Sequence, residues 1–325
     1  MVRLLKDNSG IALILTILII SLIVTLTLQF NTSMRSDLYS ASNFRDGVRL
    51  GCIARSGFDY ALAVLFEDMF ETKFDSLYED WGDSKTLSSN SAAMFDDGRF
   101  EVNIINHSGR IPINHLVDKN GKFNKKQKDI LTRFLGTERF GLESKNIVGV
   151  IEAIKDWIDS NDEETGSGAE NSFYQMLERP YSCKNAPLDF IEGLLLVKGI
   201  TKELFSGTKE YPGISNYLTT YGDGKININT ADPLVLLSLS DQIDQEMVED
   251  IIAYRENEKN NLENSDWYKL VPGMSHVKID PDLVTTSSTH FEIISEGFKD
   301  AMTKRVTGIV ERSKDTLRIL SWKIE

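Results

Sequence analysis

The feature that most constrains the fold is a run of twenty residues without a charged side chain, from Ile11 to Phe30. A run of this length is enough to cross the hydrocarbon core of a bilayer. It is apolar on every face, so it cannot be one side of a soluble core. A secretory signal peptide has a shorter apolar stretch and then a small-x-small cleavage site, which NTSMRSDLYS lacks. The sequence therefore predicts a single transmembrane helix that stays in the protein.

The residues before the apolar run predict its orientation. Arg3 and Lys6 stand in the short leader, and the cytoplasmic flanks of membrane helices carry an excess of positive charge. We expect the leader on the cytoplasmic side and the rest of the chain to be exported. Two explanations remain open at this point: a plain N-terminal anchor, and a helix that uses the membrane for only part of its life.

The overall charge limits the partners of the exported part. The chain has 325 residues, which allows one large domain or two, and a formal net charge of -13. A protein this acidic repels nucleic-acid phosphates and is compatible with metal cations. Its two cysteines, Cys52 and Cys183, make no disulfide framework, and we favour two unrelated buried thiols over one bridge.

Periodicity predicts where the helix continues and where the strands lie. RDGVRLGCIARSGFDYALAVLFEDMF continues the helix beyond the membrane. Its apolar residues near helical spacing are Val48, Ile53, Phe58, Leu62 and Leu65. GRFEVNIINHSG alternates as a strand, and strands return in HFEIISEGF, MTKRVTGIVERS and LRILSWKIE, joined by short turns. The polar stretch LYEDWGDSKTLSSNSAAMFDDG is interpreted as a loop.

The segment between the first strand and the others changes to helix and loop. PLDFIEGLLLVKGITKELF and DPLVLLSLSDQIDQEMVEDII both run Pro, Leu, apolar helix, turn and second helix, which indicates a duplicated helix-hairpin-helix. We predict an α+β fold: a long N-terminal helix on a small antiparallel sheet, with a large inserted all-α domain of helix-hairpin-helix (SAM-like) type. The predicted divisions are a leader (1–10), a transmembrane part (11–30), the rest of the helix with the first part of the head (31–112), the insertion (113–286) and the C-terminal strands (287–325).

The strongest polar cluster is IKDWIDSNDEETGSGAENSFY. Its carboxylate and amide side chains are Asp156, Asp159, Asn161, Asp162, Glu163, Glu164, Glu170 and Asn171. Hard oxygen ligands on a glycine-containing loop suit Ca²⁺ better than Zn²⁺. The alternative is a solvated acidic loop without a metal. DKNGKF, at residues 118–123, does not follow the EF-hand order and is predicted to be a turn.

The second helix-hairpin-helix segment raises the possibility of DNA binding. GKININTADPLVL and the later Tyr254-Arg255 resemble DNA-binding competence proteins, whose Gly-x-Gly hairpins hold phosphates through backbone N–H groups. The hairpin here, SLSDQIDQEM, has no glycine and carries Asp241, Asp244 and Glu246. Residues 222–273 hold eleven Asp or Glu against four Lys or Arg. We therefore favour a packing or protein-contact role over nucleic-acid binding.

Catalytic motifs are not found in the sequence. The four histidines lack ligand-like spacing, and neither G-x-S-x-G nor a P-loop occurs. The four tryptophans are far apart, which favours core positions. We expect the protein not to be an enzyme, and a membrane-anchored periplasmic enzyme is the weakest of the three functional alternatives.

The junction between leader and apolar run resembles the type IV prepilin family. Gly10 stands immediately before the run, as in leaders that are cut on the cytoplasmic side. By this resemblance a prepilin peptidase cleaves after Gly10, and Ile11 becomes the N-methylated first residue. Most members carry a Glu at the fifth mature position, and here that position is Leu15. The member known for lacking this Glu is the K-type minor pseudopilin of type II secretion systems.

Several further stretches are similar to the K-type pseudopilin family and occur in the family's order. They are FDSLYEDWGD, SGRIPIN, DWIDSNDE with GAENSFY, NAPL with LLLVKGI, and GKININTADPLVL. The resemblance covers most of the chain from Gly10 to about Leu236. It implies a pilin-like head and calcium binding, with Asp159, Asn161, Glu164 and Glu170 as first ligands and Asp156 and Asp162 as further candidates.

The resemblance also implies a place and a function. We expect a single-pass inner-membrane protein with a periplasmic C-terminal domain, which joins the I-type and J-type minor pseudopilins at the tip of the pseudopilus. There it would initiate and cap the pseudopilus in support of protein export, without nucleic acid as a partner. The alternative is a membrane-anchored helix-hairpin-helix DNA-binding protein of competence type.

Overall fold

A computed structural model describes residues 9–325. Its first element is helix α1, Ser9–Glu71, whose 63 residues extend for about 95 Å at 1.5 Å per residue. Among the described residues α1 is the one helix long and apolar enough to cross a membrane, with a mean hydropathy of 2.9 over its most apolar 18 residues and none of these buried. The predicted apolar helix is confirmed, while residues 1–8 of the leader lie outside the described part.

The remaining elements alternate short helices and strands along the chain. The helices are α2 (Ser84–Ser89), α3 (Lys125–Leu135), α4 (Ser144–Ile158), α5 (Asn171–Tyr174), α6 (Lys202–Ser206), α7 (Pro233–Ser238) and α8 (Gln245–Arg255). The strands are β1 (Arg99–Asn106), β2 (Ile111–Pro112), β3 (Leu218–Thr219), β4 (Ile226–Asn227), β5 (Val284–Thr285), β6 (His290–Lys299), β7 (Met302–Ser313) and β8 (Thr316–Ile324).

The C-terminal half of α1 packs on a four-stranded sheet. The first buried residue of the helix is Leu50, and the stripe continues through Ile53, Phe58 and Leu65 at helical spacing. Val48, predicted on the same face, is instead 55% exposed because it lies two residues from Leu50 and so faces away from the sheet. Gly57 lies so close to the sheet that an added Cβ would meet Ser295 Oγ and Phe100, which explains a glycine within a long helix.

The sheet has the order β1-β6-β7-β8 and is antiparallel throughout. All four strands lie where the alternation predicted them, and Asp300 adopts a positive φ of 50° in the turn between β6 and β7. The sheet joins strands from both sides of the inserted segment, because β1 pairs with β6 across the long stretch of chain that separates them.

Two hydrophobic clusters form the core. The smaller joins α1 to the sheet and includes Trp81, Phe100 and Phe291, while the members of the larger all lie between Ile111 and Val284. The inserted segment therefore has a core of its own. The exact divisions at 112/113 and 286/287 stay a prediction.

Several local expectations need correction. The stretch interpreted as a loop is largely helical, because Asp83 caps α2 by accepting from the N–H groups of Lys85 and Thr86. The insertion is not all-α, since it contains β3, which pairs with β2 just before the insertion, and the pair β4 and β5; both pairs are short and parallel. In the first helix-hairpin-helix segment the first helix is a 3-10 helix, Ile191–Leu196.

The aromatic and cysteine predictions have mixed outcomes. Three tryptophans are buried as expected, but Trp322 on the edge strand β8 is 40% exposed. Both cysteines are free thiols. Cys183 is buried as predicted, whereas Cys52 is exposed on α1 because it faces away from the sheet.

Candidate metal centre

The candidate metal site lies at the C-terminal end of α4. This helix buries Ile147, Ile151 and Ile154 against the core of the insertion and ends at Ile158. Its last turn carries Lys155 and Asp156, and Asp159 follows directly. These three charged residues are all less than 8% exposed. The free carbonyl groups at a helix C-terminus already favour a cation, and the carboxylates add to this field.

The loop after α4 folds back over the helix end. Asp156 accepts from the N–H of Thr165 at 3.0 Å, and Glu152 accepts from the N–H of Ser167 at 2.7 Å. A Cβ at Gly168 would collide with Asp156 Oδ2, so this position needs a glycine. The loop thereby returns the chain to Glu170, which precedes α5. The turn predicted at residues 118–123 is confirmed and borders the same loop, since Gly121 lies near Asp159 and Asn161.

Glu170 is the most unusual member of the group. It is 1% exposed, and within the described part of the chain neither of its carboxylate oxygens has a hydrogen-bond partner. Asp159 Oδ1 is also buried without a partner among residues 9–325. Burial, followed by the nearby charges of Asp156 and Asp159, raises the pKa of Glu170 to about 7. Unpartnered buried carboxylate oxygens are costly, and a bound cation would satisfy them.

The structure separates the six predicted ligands into two groups. Asp156, Asp159 and Glu170 are buried together; with Lys155 they are called the loop cluster below. Asp162 and Asn161 lie on the exposed rim, where Asp162 accepts from Asn171 Nδ2 and Asn161 accepts from the N–H of Glu163. Glu164 is exposed. The buried donors are all hard oxygens, the type that Ca²⁺ prefers, but in this structure the three residues do not bring one oxygen each to within 4.8 Å of one another.

Two further residues belong to this region and were not predicted. The ammonium of Lys155 forms an ion pair with Asp159 Oδ2 and lies 3.5 Å from Asp156 Oδ1. Asn185 has a positive φ of 47°, donates from Nδ2 to the carbonyl of Asn161, and has a buried Oδ1 without a partner among the described residues. The i,i+4 spacing of Lys155 and Asp159 was a usable signal, whereas Asn185 comes from a distant loop and has none.

A second buried acidic group lies where the insertion meets the head. Asp68, Asp75 and Glu79 can bring one carboxylate oxygen each to within 4.8 Å of one another, and they form the junction cluster together with Arg312. Arg312 donates to Asp68 Oδ2 at 2.6 Å and also to Asp75 Oδ1. Desolvation, followed by the charges of Glu79 and Asp75, raises the pKa of Asp68 to about 7.

The junction cluster is already satisfied by protein groups. Asp75 Oδ2 accepts from the N–H of Ser288 at 2.6 Å. Glu79 accepts from Thr72 Oγ1 and from Trp81 Nε1. Arg312, on β7, also donates to the carbonyl of Ser288. Its contacts therefore connect β7 to α1 through Asp68 and to the following loop through Asp75. This group is a structural connection, and among residues 9–325 it carries no fully buried carboxylate oxygen without a hydrogen-bond partner.

The motif that resembles DNA-binding modules has a structural role here. Asn227 donates to the backbone carbonyl of Asp75 and to Ser288 Oγ, which ties the motif to the junction. Arg255 is buried and donates to the carbonyls of Ile228 and Ala231. Between α7 and α8, Asp244 caps α8 by accepting from the N–H of Met247. The motif's arginine is therefore unavailable to phosphate, and its hairpin is acidic.

The residues predicted for processing lie in the exposed half of α1. Ile11 is 67% exposed and Leu15 is 56% exposed, and an added Cβ at Gly10 would meet no atom within 4 Å. All described residues of α1 from 10 to 49 are exposed or half-buried; Asp46 contacts the head through an ion pair with Lys299, and the apolar half before it buries no side chain. It is free to pack against lipid or other helices.

Comparisons with known proteins point in one direction. A family profile described as Type II secretion system (T2SS), protein K, matches residues 109–211. Type II secretion system protein K of Pseudomonas aeruginosa is 24% identical over 95% of this chain and 90% of its own length. The protein of the same name from Klebsiella pneumoniae is 23% identical over 69% of this chain and 67% of its own length.

The fold is also similar to a solved structure. A chain in the crystal structure of the GspK-GspI-GspJ complex from the enterotoxigenic Escherichia coli Type 2 Secretion System superposes with a TM-score of 0.69. The two chains are 15% identical, and the match covers 88% of this chain and 99% of that one. At this identity the likeness establishes the fold, and it agrees with the predicted long helix on an antiparallel sheet.

Proposed function

Because this chain belongs to the family of type II secretion system protein K, we propose that it is a minor pseudopilin that forms the tip of a periplasmic pseudopilus. In this role it initiates assembly, caps the filament and supports protein export across the outer membrane. The exposed apolar half of α1 supports a spine that packs with other helices. The inserted domain, with its own core, supports a bulky end to the filament.

The observation that carries the capping role is Leu15. A carboxylate in hydrocarbon costs a few kcal/mol unless it is paired. In pilin-type filaments its partner is expected to be the charged N-terminus of a neighbouring subunit. A chain with Leu15 at this position offers no such pair, so it suits the end of a filament, where no subunit lies beyond it.

The test places a carboxylate at the fifth mature position. In cells that lack the native chain, Leu15→Glu should give pseudopili that grow longer than with wild type, measured by electron microscopy when the major pseudopilin is overproduced. Leu18→Glu is the matched control, since it adds the same charge to the same helix one turn away. Equal filament lengths for both variants and wild type would contradict the capping role.

The proposed partners are the I-type and J-type minor pseudopilins, by analogy with the complex of the structural relative. We infer that contact runs through the apolar half of α1. Replacing residues 11–30 with an unrelated single-pass helix should retain the chain in the membrane and abolish its co-purification with the two partners in mild detergent. If the partners still co-purified, the contact would lie in the head and not in the apolar half of α1.

Processing by a prepilin peptidase is the second element of the proposal. Co-expression with the peptidase should shift the intact mass to that of a chain starting at N-methylated Ile11. Gly10→Val should remain uncut under the same conditions. A chain that still starts at Met1, or one cut after Phe30, would contradict membership in the processed class.

The proposed location is the inner membrane, with one crossing and the head in the periplasm. Protease added to spheroplasts should digest the head, and protease added to intact cells should not. A head that is protected in spheroplasts would place it in the cytoplasm and reverse the orientation.

We also propose that the loop cluster binds calcium. Asp156, Asp159 and Glu170 would hold the ion, with Asn161, Asp162 and Glu164 as candidates to reach it from the rim. The ion would supply the positive charge that the unpartnered oxygens of Glu170 and Asp159 need. Its role would be structural, since it would join the end of α4 to the loop that leads to α5.

A further inference from the structure

Lys155 is buried in the loop cluster itself. Only 7% of the residue is exposed, which is unusual for a lysine, whose charged group is strongly hydrated. Its ammonium pairs with Asp159 Oδ2 and lies 3.5 Å from Asp156 Oδ1. It therefore occupies the space between two of the three carboxylates proposed to hold calcium.

The ammonium compensates the cluster only in part. Three carboxylates face one positive charge, and the two oxygens of Glu170 and one of Asp159 have no partner within the described residues. A divalent ion offers one more charge and several more coordination positions than an ammonium. The loop cluster thus holds the ammonium of Lys155, which offers less positive charge and fewer contacts to the carboxylates than Ca²⁺ would.

Both cations would be held by the same carboxylate groups, because Lys155 contacts Asp159 Oδ2 and Asp156 Oδ1, and the unpartnered Oδ1 belongs to the same Asp159 carboxylate. A calcium ion bound to Asp156 and Asp159 would lie within a few ångströms of the present ammonium, and two cations at that distance repel. The flexible four-carbon stem of a lysine lets the ammonium leave without a change in the helix backbone. The Lys155 ion pair would therefore oppose calcium binding.

We propose that Lys155 is a built-in competitor of calcium, which fills the cation position of the loop cluster and lowers the calcium affinity of the site. This inference rests on the proposal that the loop cluster binds calcium. Lys155 keeps the carboxylates together when calcium is scarce, and it makes the site respond to calcium over a higher concentration range.

The test removes the charge and keeps the length of the side chain. With the full chain in detergent, isothermal titration calorimetry with calcium chloride should give a Kd for Lys155→Met at least tenfold lower than for wild type. Lys155→Arg, which keeps the charge, should not bind more tightly than wild type. Lys198→Met is the matched control, because Lys198 donates to the carbonyls of Ser167 and Gly168 on the same loop.

A second measurement, thermal unfolding with and without calcium, tests the same proposal if the substitutions weaken the fold. Lys155→Met and the shorter, neutral Lys155→Gln should have a lower Tm than wild type with a chelator, and calcium should raise their Tm by more than it raises that of wild type. If wild type binds calcium and the neutral variants bind equally or more weakly, the competitor role is wrong and the calcium site stands. If neither wild type nor neutral variants bind, the proposed calcium site fails.

Discussion

The loop cluster and the junction cluster contain similar charged groups, but they differ in how many of their carboxylate oxygens have hydrogen-bond partners. Each gathers three buried carboxylates around one cationic side chain, and in each a carboxyl group has its pKa raised to about 7. In the junction cluster Arg312, backbone N–H groups and an indole N–H reach the carboxylates. In the loop cluster Glu170 has no partner among residues 9–325. Buried acidic residues therefore indicate a ligand only where their oxygens are left unsatisfied.

The cationic side chains of the two clusters also differ in how firmly they are held. Arg312 forks between Asp68 and Asp75 and lies 4.8 Å from the centre of the Phe291 ring, so it is held from several sides. Lys155 is a point charge on a flexible stem. A guanidinium suits a permanent connection between domains, and an ammonium suits a position that another cation can take.

The largest effect is expected from removing the junction cation. Arg312→Met leaves Asp68 and Asp75 buried without compensation, and we expect the free energy of unfolding to fall by about 3–5 kcal/mol. Urea unfolding of the full chain in detergent measures this loss. Arg318→Met is the matched control: its exposed pair with Glu311 should contribute less than about 1 kcal/mol. Similar losses for both variants would remove the distinction between the two arginines.

The next effect concerns calcium at the loop cluster. At a calcium concentration about 100 times the Kd, binding should stabilise the wild-type chain by roughly 2.7 kcal/mol relative to chelator. Glu170→Gln should lose most of this gain, since it removes the buried charge. Thermal unfolding with and without calcium checks this, with Glu163→Gln on the exposed rim as the control. A calcium effect that persists in Glu170→Gln would exclude Glu170 as a ligand.

A smaller effect concerns pH at the junction cluster. The pKa of Asp68 rises from 3.8 to about 7 on folding, so the folded state binds this proton more tightly. The resulting stabilisation is complete below about pH 4 and is lost as the pH rises through 7. Asp68→Asn should remove on the order of 1 kcal/mol of the stability difference between pH 5 and pH 8, after allowance for solvent screening. Identical pH profiles for variant and wild type would contradict the buried protonated form.

The smallest expected effect concerns the unpartnered hydroxyl group of Ser76 beside the junction cluster. Ser76 Oγ is buried without a partner in the described chain, while the N–H of Ser76 donates to Glu79 Oε2 at 2.8 Å. Ser76→Ala keeps the backbone contact and should change the free energy of unfolding by less than about 0.5 kcal/mol. A large loss would show that the hydroxyl takes part in the junction cluster.

The sequence predicted the fold well and the candidate site in part. The apolar run, the four sheet strands and the acidic loop were visible because each depends on local periodicity or composition. The burial of Asp156 and Asp159 was not visible, since it depends on the loop returning over α4 through Gly168. Glu164 shows the reverse: it belongs to the same acidic stretch, and the loop leaves it exposed.

The sequence by itself determined the long apolar helix, the strand alternation and the neutral residue at position 15. These are properties of short segments, where the hydrophobic period and the absence of charge are written directly in the residue order. Only the tertiary structure decided which buried carboxylates are hydrogen-bonded by other parts of the chain and which keep unpartnered oxygens among the described residues. That outcome depends on groups distant along the chain, Arg312 and Ser288 for Asp75 and none for Glu170. Hydrogen bonding of a buried carboxylate is a property of its neighbours in space, which no local pattern records.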